Sequence, residues 1–342
     1  MNFLNNLKVW DEKLCKMAAD YGLDWFELAY ETCDYYEMIG SMAYHGMPSH
    51  YAHWSFGKSF ERNHIMYNSG MQGLPYELII NSNPSLAYLM EENPMYLQVL
   101  IMAHCIGHSD FFKNNATFSH THPENIILRM RNAKRYVDGL IEDPSIGIEA
   151  VERILDSAHA LNMNVPRRYK KYVPQKQQQN KLVEDIKLGL YSNRLHVPDH
   201  NKIPIQPEED ILSFIADVSP NLEDWQRELI SIVADEAYYF MPQIRTKVMN
   251  EGWASFWHYR LMHDLDLPSS MHIPFLKTHN EVIRPHPGSI NPYHLGFHMF
   301  KRIEERFGLE ECFIARESLN DESFIRQYLT QQDCEDLELF SY

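Results

Sequence analysis

The chain has 342 residues, of which 44% are hydrophobic and 23% charged, a composition that excludes disordered and fibrous proteins. Its 31 Lys and Arg residues against 47 Asp and Glu residues give a net charge of −16, which opposes binding to nucleic acids and anionic membranes. The short basic string RRYKKY at 167–172 is therefore interpreted as a solvated loop.

The cysteine content and the amino-terminal sequence indicate the cellular compartment in which the protein is expected. The five cysteines are irregularly spaced and form no CxxC pair, which favours a reducing compartment. The first residues show no basic segment followed by an apolar one, and no apolar run reaches the length of a membrane-spanning helix. We expect a cytoplasmic protein without a membrane span.

The first half of the chain predicts mostly helices. Apolar spacing indicates an amphipathic helix over 3–21 that Gly22 ends. Residues 34–84 predict a helix, a loop, a second helix and a short strand within 76–84. Residues 96–115 are apolar nearly all round, which is typical of a helix buried on most faces.

The second half is also mainly helical. A helical pattern over 124–161 is interrupted at Pro144, and the polar segment 163–208 is predicted to be a linker. The second half resumes at ILSFIADVS, and a helix is expected near NLEDWQRELISIVADEAYYF that Pro242 ends or kinks. A helical run IRTKVMNEGWASFWHYRLMH, a proline-rich loop over 267–293, and helices over Pro292–Phe307 and near 321–331 are expected to follow. The fold class predicted is mainly α with a few short strands, either one compact domain or two packed halves, 1–162 and 209–342.

Three His-xxx-His pairs occur, although 18 histidines in this length give roughly one by chance. This spacing places two imidazoles on one helix face, where they can bind one metal ion. The pair His196/His200 has Pro198 between its members, and His294/His298 is interpreted as surface or hydrogen-bonded histidines.

His104 and His108 differ because their predicted helix is otherwise apolar, and buried polar groups need partners. Structural histidines bound to backbone groups would satisfy that need, whereas a metal site needs a third ligand. Glu251 in MNEGWASFWH is a candidate, since small neighbours allow another helix to approach; a carboxylate that stabilises a helix N-terminus is the alternative.

The string resembles the NEGxA segment of gluzincin metallopeptidases, which implies a zinc ion held by His104, His108 and Glu251, a fourth position for water, and gluzincin-like packing of the site. The chain departs from HExxH because Cys105 stands where those enzymes have their general base. Glu236 is the predicted replacement.

Three further predictions concern the surroundings of this site. Asp110 is expected to orient a ligand imidazole, and His258, about two helical turns beyond Glu251, to line the pocket and take part in catalysis. A cluster in PSHYAHWSFGKSFE can line a ligand pocket or simply pack. Its members are His50, His53, Trp54 and Lys58.

Five segments together resemble the stage V sporulation protein R (SpoVR) family over about residues 20–310. They are AYHGMPSHYAHWSFGKSFE, YELIINSNP, MAHCIGHSDFFKNN, DEAYYFMPQIRTKVMNEGWASFWHYRLMH and INPYHLGF. The resemblance implies a role in forming spore cortex, a modified peptidoglycan, and partnership with a PrkA-type serine kinase and a companion protein.

Two functional hypotheses follow. One is a zinc-dependent amide hydrolase that acts on a peptide or peptidoglycan-related substrate through a metal-bound water. A cytoplasmic precursor or a regulatory protein would suit the predicted location better than mature wall polymer. The other is a non-catalytic partner or scaffold in a kinase complex, whose histidines are structural or hold a structural ion.

Overall fold

The computed structural model describes residues 3–69, 78–166, 170–192, 194–286 and 288–340, and it confirms a mainly α-helical chain with few strands. The first helices are α1 (Phe3–Asp20), α2 (Tyr35–Ala43), α3 (Trp54–Asn68), α4 (Met95–Asn114), α5 (Ile126–Glu142), α6 (Gly147–His159), α7 (Gln175–Lys187) and α8 (Ile211–Val218). The later helices are α9 (Asp224–Arg245), α10 (Lys247–Asp264), α11 (Ser269–Val282), α12 (Pro292–Phe307), α13 (Leu309–Ser318), α14 (Asp321–Tyr328) and α15 (Gln331–Asp336).

A small sheet has the order β1-β3-β2, with β1 (Leu28–Cys33), β2 (Leu78–Ile79) and β3 (Ser85–Met90). The strand predicted within 76–84 is confirmed in part by β2; residues 76 and 77 of that segment lie outside the described ranges. Residues 167–169 of the basic string RRYKKY also lie outside the described ranges. The strand β3 pairs in parallel with β1 and antiparallel with β2. Its side chains are largely buried, which places the sheet against the core.

The chain divides into two compact units. The first comprises Met1–His50, Ser55–Arg131 and Pro242–Tyr342, and the second comprises Tyr51–Trp54 and Asn132–Met241. The polar segment 163–208 belongs to the second unit and contains α7, a helix that the sequence analysis did not predict. Proline at its N-cap, Pro174, suits a helix start because its missing N–H has no intrahelical partner there.

The loop predicted over 267–293 is wrong for most of its length, because α11 occupies Ser269–Val282. Pro268 forms the N-cap of this helix, and Pro274 lies inside it at the cost of one backbone hydrogen bond. Burial of Phe275, Thr278 and His279 on one face stabilises the helix despite that cost.

Two other boundaries test the proline and capping rules. The helix α9 continues three residues past Pro242, where an end or kink was expected, and Thr246 then donates its hydroxyl to the Pro242 carbonyl. The helix α12 begins as predicted, since the Asn291 side chain accepts from the amide of Tyr293 and Pro292 occupies the first helical position.

The core of the first unit surrounds α4 and α10. Every residue of α4 from Leu97 to Phe112 is buried, which confirms the predicted enclosed helix. Trp253 and Trp257 of α10 are completely buried, and Trp253 packs edge-on against Phe313. Within the described ranges, no helix combines the length and apolar content that a bilayer crossing requires.

Candidate metal centre

His104 and His108 lie one turn apart on α4, with exposed fractions of 1% and 4%. Their ring centroids are 4.5 Å apart. Because residues four apart lie on the same helix face, both imidazoles project toward one point. That point lies between α4 and α10, inside the first unit.

Small residues bring α10 and its neighbours close to this point. A Cβ added to Gly107 would lie 2.7 Å from Cα of Ala254, and one added to Gly252 would overlap the backbone of Gly296 in α12. The three helices therefore touch backbone to backbone. This spacing allows a side chain as short as glutamate to span the gap between α10 and the histidines.

Glu251 supplies that side chain. Its Oε2 lies 3.3 Å from Nε2 of His108 and 3.8 Å from Nε2 of His104. Its Oε1 accepts a hydrogen bond from Nζ of Lys247 at 2.6 Å. The ligand atoms of the three residues all lie within 4.8 Å of one another, and no fourth Asp, Glu, Cys or His of the described residues belongs to this group.

The arrangement fits a transition-metal ion. Tetrahedral zinc with bonds of about 2.0–2.2 Å places neighbouring ligand atoms about 3.3–3.5 Å apart, close to the observed nitrogen to oxygen distances. Oε2 of Glu251 is buried and has no hydrogen-bond partner among the described residues. A buried carboxylate oxygen in that condition is unfavourable unless a cation or proton satisfies it. His104, His108 and Glu251 thus form a group that can hold a metal ion.

The other ring nitrogens are matched to nearby side chains. Nδ1 of His108 lies 2.8 Å from Oδ1 of Asn250, and Nδ1 of His104 lies 2.7 Å from Nδ1 of His258. An amide oxygen only accepts, so His108 must carry its proton on Nδ1 and present a bare Nε2 toward Glu251. Such partners fix the tautomer and orientation of histidine ligands.

Asn250 directly precedes Glu251 in the chain but was not among the predicted site residues. Polar residues next to a ligand in an otherwise buried helix are the signal that could have found it. His258 was expected in the pocket, and the structure places it at 0% exposure against His104.

The protonation states of the group follow from its contacts. Burial raises the pKa of Glu251, but its close contacts with His104 and His108 and the charge of Lys247 outweigh burial, so its pKa lies well below the usual value. Burial, followed by the neighbouring histidines, lowers the pKa of His258 well below its usual value. The centre therefore combines an ionised carboxylate with a neutral imidazole at His258, which suits metal binding.

A carboxylate from another helix anchors the end of α10. The amides of Val248 and Met249 donate to the two side-chain oxygens of Asp321, each at 2.9 Å. This contact replaces the side-chain cap that Thr246 does not provide. It fixes the first turn of α10, from which Glu251 projects.

Asp110 makes its hydrogen bonds away from the two histidine rings. Its Oδ1 accepts from the amide of Asp24 and its Oδ2 accepts from the indole of Trp253, each at 2.8 Å. Nε of Arg316 lies 3.4 Å from the same Oδ2. Burial raises the pKa of Asp110 to about 6, against the lowering effect of Arg316. The contacts link α4, α10 and α13 within the core.

His53 and Trp54, two of the predicted pocket residues, share a partner outside this group. In the second unit, Nε2 of His53 lies 3.1 Å from Oδ1 of Asp156, and the indole of Trp54 donates to the same oxygen. In the first unit, His50 is buried and its ring centroid lies 4.4 Å from that of Phe56, while Lys58 is exposed on α3.

Glu236 also belongs to the second unit. Its Oε2 accepts a hydrogen bond at 3.0 Å from the hydroxyl of Tyr51, which also lies 2.8 Å from Nε2 of His159. Burial, then the charge of Glu236, raises the pKa of Tyr51 well above its usual value, so the tyrosine donates rather than ionises. The role of Glu236 as a general base stays a prediction.

Comparison with known proteins decides the family. A family model described as "SpoVR like protein" matches residues 2–342. The chain belongs to the SpoVR-like family. Another SpoVR-like protein, "Uncharacterized protein YcgB" of Escherichia coli (strain K12), is 36% identical over 381 aligned residues, which cover 98% of this chain and 74% of the relative. No solved structure matches significantly.

Proposed function

We propose that this SpoVR-like protein is a zinc-dependent hydrolase of amide bonds. The observation that carries the proposal is the position of Glu251 Oε2, buried without a hydrogen-bond partner among the described residues and 3.3 Å and 3.8 Å from two imidazole nitrogens. Two nitrogens and one oxygen are the donor set of hydrolytic zinc sites that keep an open position.

The protein would hold the ion through Nε2 of His104, Nε2 of His108 and Oε2 of Glu251. When bound, zinc would polarise a substrate carbonyl and lower the pKa of a water molecule. Lys247 compensates the charge on Glu251 Oε1, and Asn250 keeps the His108 ring in its orientation. Cys105 is completely buried at the position of the HExxH glutamate, so another carboxylate must accept the proton, and Glu236 is our candidate.

The substrate class rests on the family. SpoVR-like proteins are associated with sporulation and spore cortex, which is peptidoglycan, so we propose a peptide or peptidoglycan-related amide as substrate. The predicted cytoplasmic location favours a precursor or a regulatory protein over mature wall polymer. The sequence likeness of MNEGWASFWH to gluzincin segments supports amide hydrolysis over other metal-dependent chemistry.

Metal content tests the centre directly. Elemental analysis of the purified protein should find about one zinc ion per chain, and His104→Ala should remove it. Glu251→Gln should weaken zinc binding in a competition titration with a chelator. His200→Ala, from a His-xxx-His pair outside any helix, is the matched control and should keep the metal. A metal-free wild-type protein would end the proposal.

Catalysis needs a separate test. Glu236→Gln should retain zinc but lose about 100-fold or more in peptide hydrolysis, the scale of a lost general base. Glu228→Gln, an exposed change on the same helix, should keep full activity. A Glu236→Gln protein as active as the wild type would remove Glu236 from the mechanism.

Burial of all three ligands favours a second candidate, a structural ion in a scaffold. In that case the partner would be the PrkA-type serine kinase or its companion protein. Under the scaffold hypothesis, kinase binding measured by co-purification should be unchanged in Glu236→Gln. The protein should then hydrolyse no amide bond. Zinc-dependent hydrolysis that Glu236→Gln abolishes would decide for the enzyme.

A further inference from the structure

Three histidines form a hydrogen-bonded row that starts at the metal centre. Nδ1 of His104 lies 2.7 Å from Nδ1 of His258, and Nε2 of His258 lies 2.7 Å from Nδ1 of His279. All three are buried, with exposed fractions of 1%, 0% and 2%. The row crosses from α4 through α10 to α11.

Metal ligation would determine the proton on every nitrogen of this row. A metal ion on Nε2 of His104 leaves the proton on Nδ1, so His104 must donate to Nδ1 of His258. His258 then carries its own proton on Nε2 and donates to Nδ1 of His279. Each hydrogen bond has one donor and one acceptor, so the row is satisfied in this direction.

Hydrogen bonds that run in the opposite direction along the row are incompatible with metal binding by His104. If His258 donated from Nδ1, His104 would accept at Nδ1 and carry its proton on Nε2, the atom that faces Glu251 Oε2 at 3.8 Å. A protonated Nε2 cannot bind a metal ion. The acceptor at His258 Nδ1 is therefore what keeps His104 in its ligand form.

Helix packing explains why the row forms. Gly107 contacts Ala254, while His108 meets Asn250 and His104 meets His258, so α10 runs antiparallel to α4. His258 consequently lies beside His104, although it is two turns beyond Glu251 on its own helix. His279 is enclosed by the rings of Tyr259 and Phe297, with centroids 4.7 Å and 5.1 Å away, which holds its position.

We infer that His258 and His279 are positioning residues for the metal ligand His104, which they hold with Nε2 directed at the ion. This inference rests on the proposed metal centre. It assigns His258 a contact with the ligand rather than with substrate, and it adds His279, which lies in a segment that the sequence predicted to be a loop.

Two substitutions of His258 separate this role from simple packing. The side-chain oxygen of Asn occupies nearly the position of Nδ1, so His258→Asn can still accept from His104. The amide of Gln reaches the position of Nε2, so His258→Gln keeps a partner for His279 and loses the one for His104. Each variant keeps a polar group at one of the two ring-nitrogen positions of His258 and lacks the other, so the two variants form a matched pair.

The measurement is the zinc dissociation constant of the full chain, obtained by chelator competition, with thermal unfolding as a check on folding. We expect His258→Gln to weaken zinc binding about 10- to 100-fold and His258→Asn to stay within a few-fold of wild type. His279→Leu should weaken it by a smaller factor, because it acts through His258. Equal affinities of His258→Gln, His258→Asn and the wild type would overturn the inference.

A spectroscopic measurement covers the case in which the variants fail to fold. Long-range proton–nitrogen NMR correlation of zinc-loaded wild type with labelled histidine should show His104 protonated at Nδ1, assigned by loss of its signals in His104→Ala. Protonation of His258 at Nδ1, which would remove the acceptor for the Nδ1 proton of His104, would overturn the inference while the metal centre stands. A wild type that binds no zinc would instead overturn the proposed function, and this inference with it.

Discussion

Gly107 of α4 contacts Ala254 of α10 so closely that a Cβ on residue 107 would lie 2.7 Å from Cα of Ala254. This contact fixes the distance between the helix that carries both histidines and the helix that carries the carboxylate. The candidate metal centre therefore depends on a residue that has no side chain of its own.

Replacing Gly107 by alanine should force α4 and α10 apart. We expect a loss of about 1–3 kcal/mol in the free energy of unfolding and weaker zinc binding, measured by denaturant titration and chelator competition. Gly139→Ala is the control, since Gly139 lies exposed in α5 with open space around it and should gain up to about 1 kcal/mol. Unchanged stability in Gly107→Ala would contradict the close packing.

Removing the amide of Asn250 should disturb the His108 ligand. Asn250→Ala deletes the acceptor at 2.8 Å from Nδ1, and we expect about 10- to 100-fold weaker zinc binding. Ser255→Ala on the same helix is the control, because its buried hydroxyl has no hydrogen-bond partner among the described residues. That control should bind zinc normally and be as stable as the wild type or more so. Equal zinc affinity in both variants would show that Asn250 does not orient His108.

Asp110 should matter for stability rather than for the metal. Asp110→Ala leaves the guanidinium of Arg316 buried without its carboxylate, so we expect a loss of about 3–5 kcal/mol in the free energy of unfolding. Asp24→Ala breaks only the exposed ion pair with Lys113 and should cost less than about 1 kcal/mol. An Asp110→Ala protein that keeps its stability but loses zinc would instead indicate a role in orienting a ligand.

Asp333 should make the carboxyl-terminal helices acid-sensitive. Burial alone would raise its pKa, but hydrogen bonds from Thr330 and Arg306 outweigh burial and hold the pKa well below the usual value of 3.8. The folded-state pKa is the lower one, so this stabilisation is present above the unfolded value and is lost as the pH falls through the folded value.

Denaturant titrations from about pH 6 down to about pH 3 measure this effect. The difference in unfolding free energy between wild type and Asp333→Asn should be largest at the upper end and shrink as the pH falls. His298, Arg302 and Arg306 also face Asp333, and their attraction to its charge is part of the measured difference. A difference independent of pH would mean that the charge of Asp333 contributes nothing.

Much of the fold follows from local patterns. The continuous apolar character of residues 96–115 predicted a buried helix, and the helix predicted over Pro292–Phe307 has the same bounds as α12. The helix α11 was missed because two prolines indicated a loop, whereas its first proline stands at the N-cap and burial of Phe275 offsets the second. The strand β1 was missed because LAYETC shows no clear alternation of apolar and polar residues.

The site was predictable only in part, for a physical reason. Helix periodicity places His104 and His108 on one face, and the small residues around Glu251 indicate a close helix approach. Neither pattern shows the relative orientation in which α4 and α10 pack. That orientation places Asn250 beside His108 and His258 beside His104. His279 depends on a third helix and carried no local signal.

The ammonium group of Lys247, held 2.6 Å from Glu251 Oε1, limits the carboxylate to one free oxygen. Calcium requires six to eight oxygen ligands and often takes both oxygens of a glutamate, while magnesium demands an octahedral shell rich in water. A pocket that offers two imidazoles and a single carboxylate oxygen discriminates against both hard cations. In the proposed metal centre, Lys247 would thus favour a borderline-soft ion without itself contacting the metal.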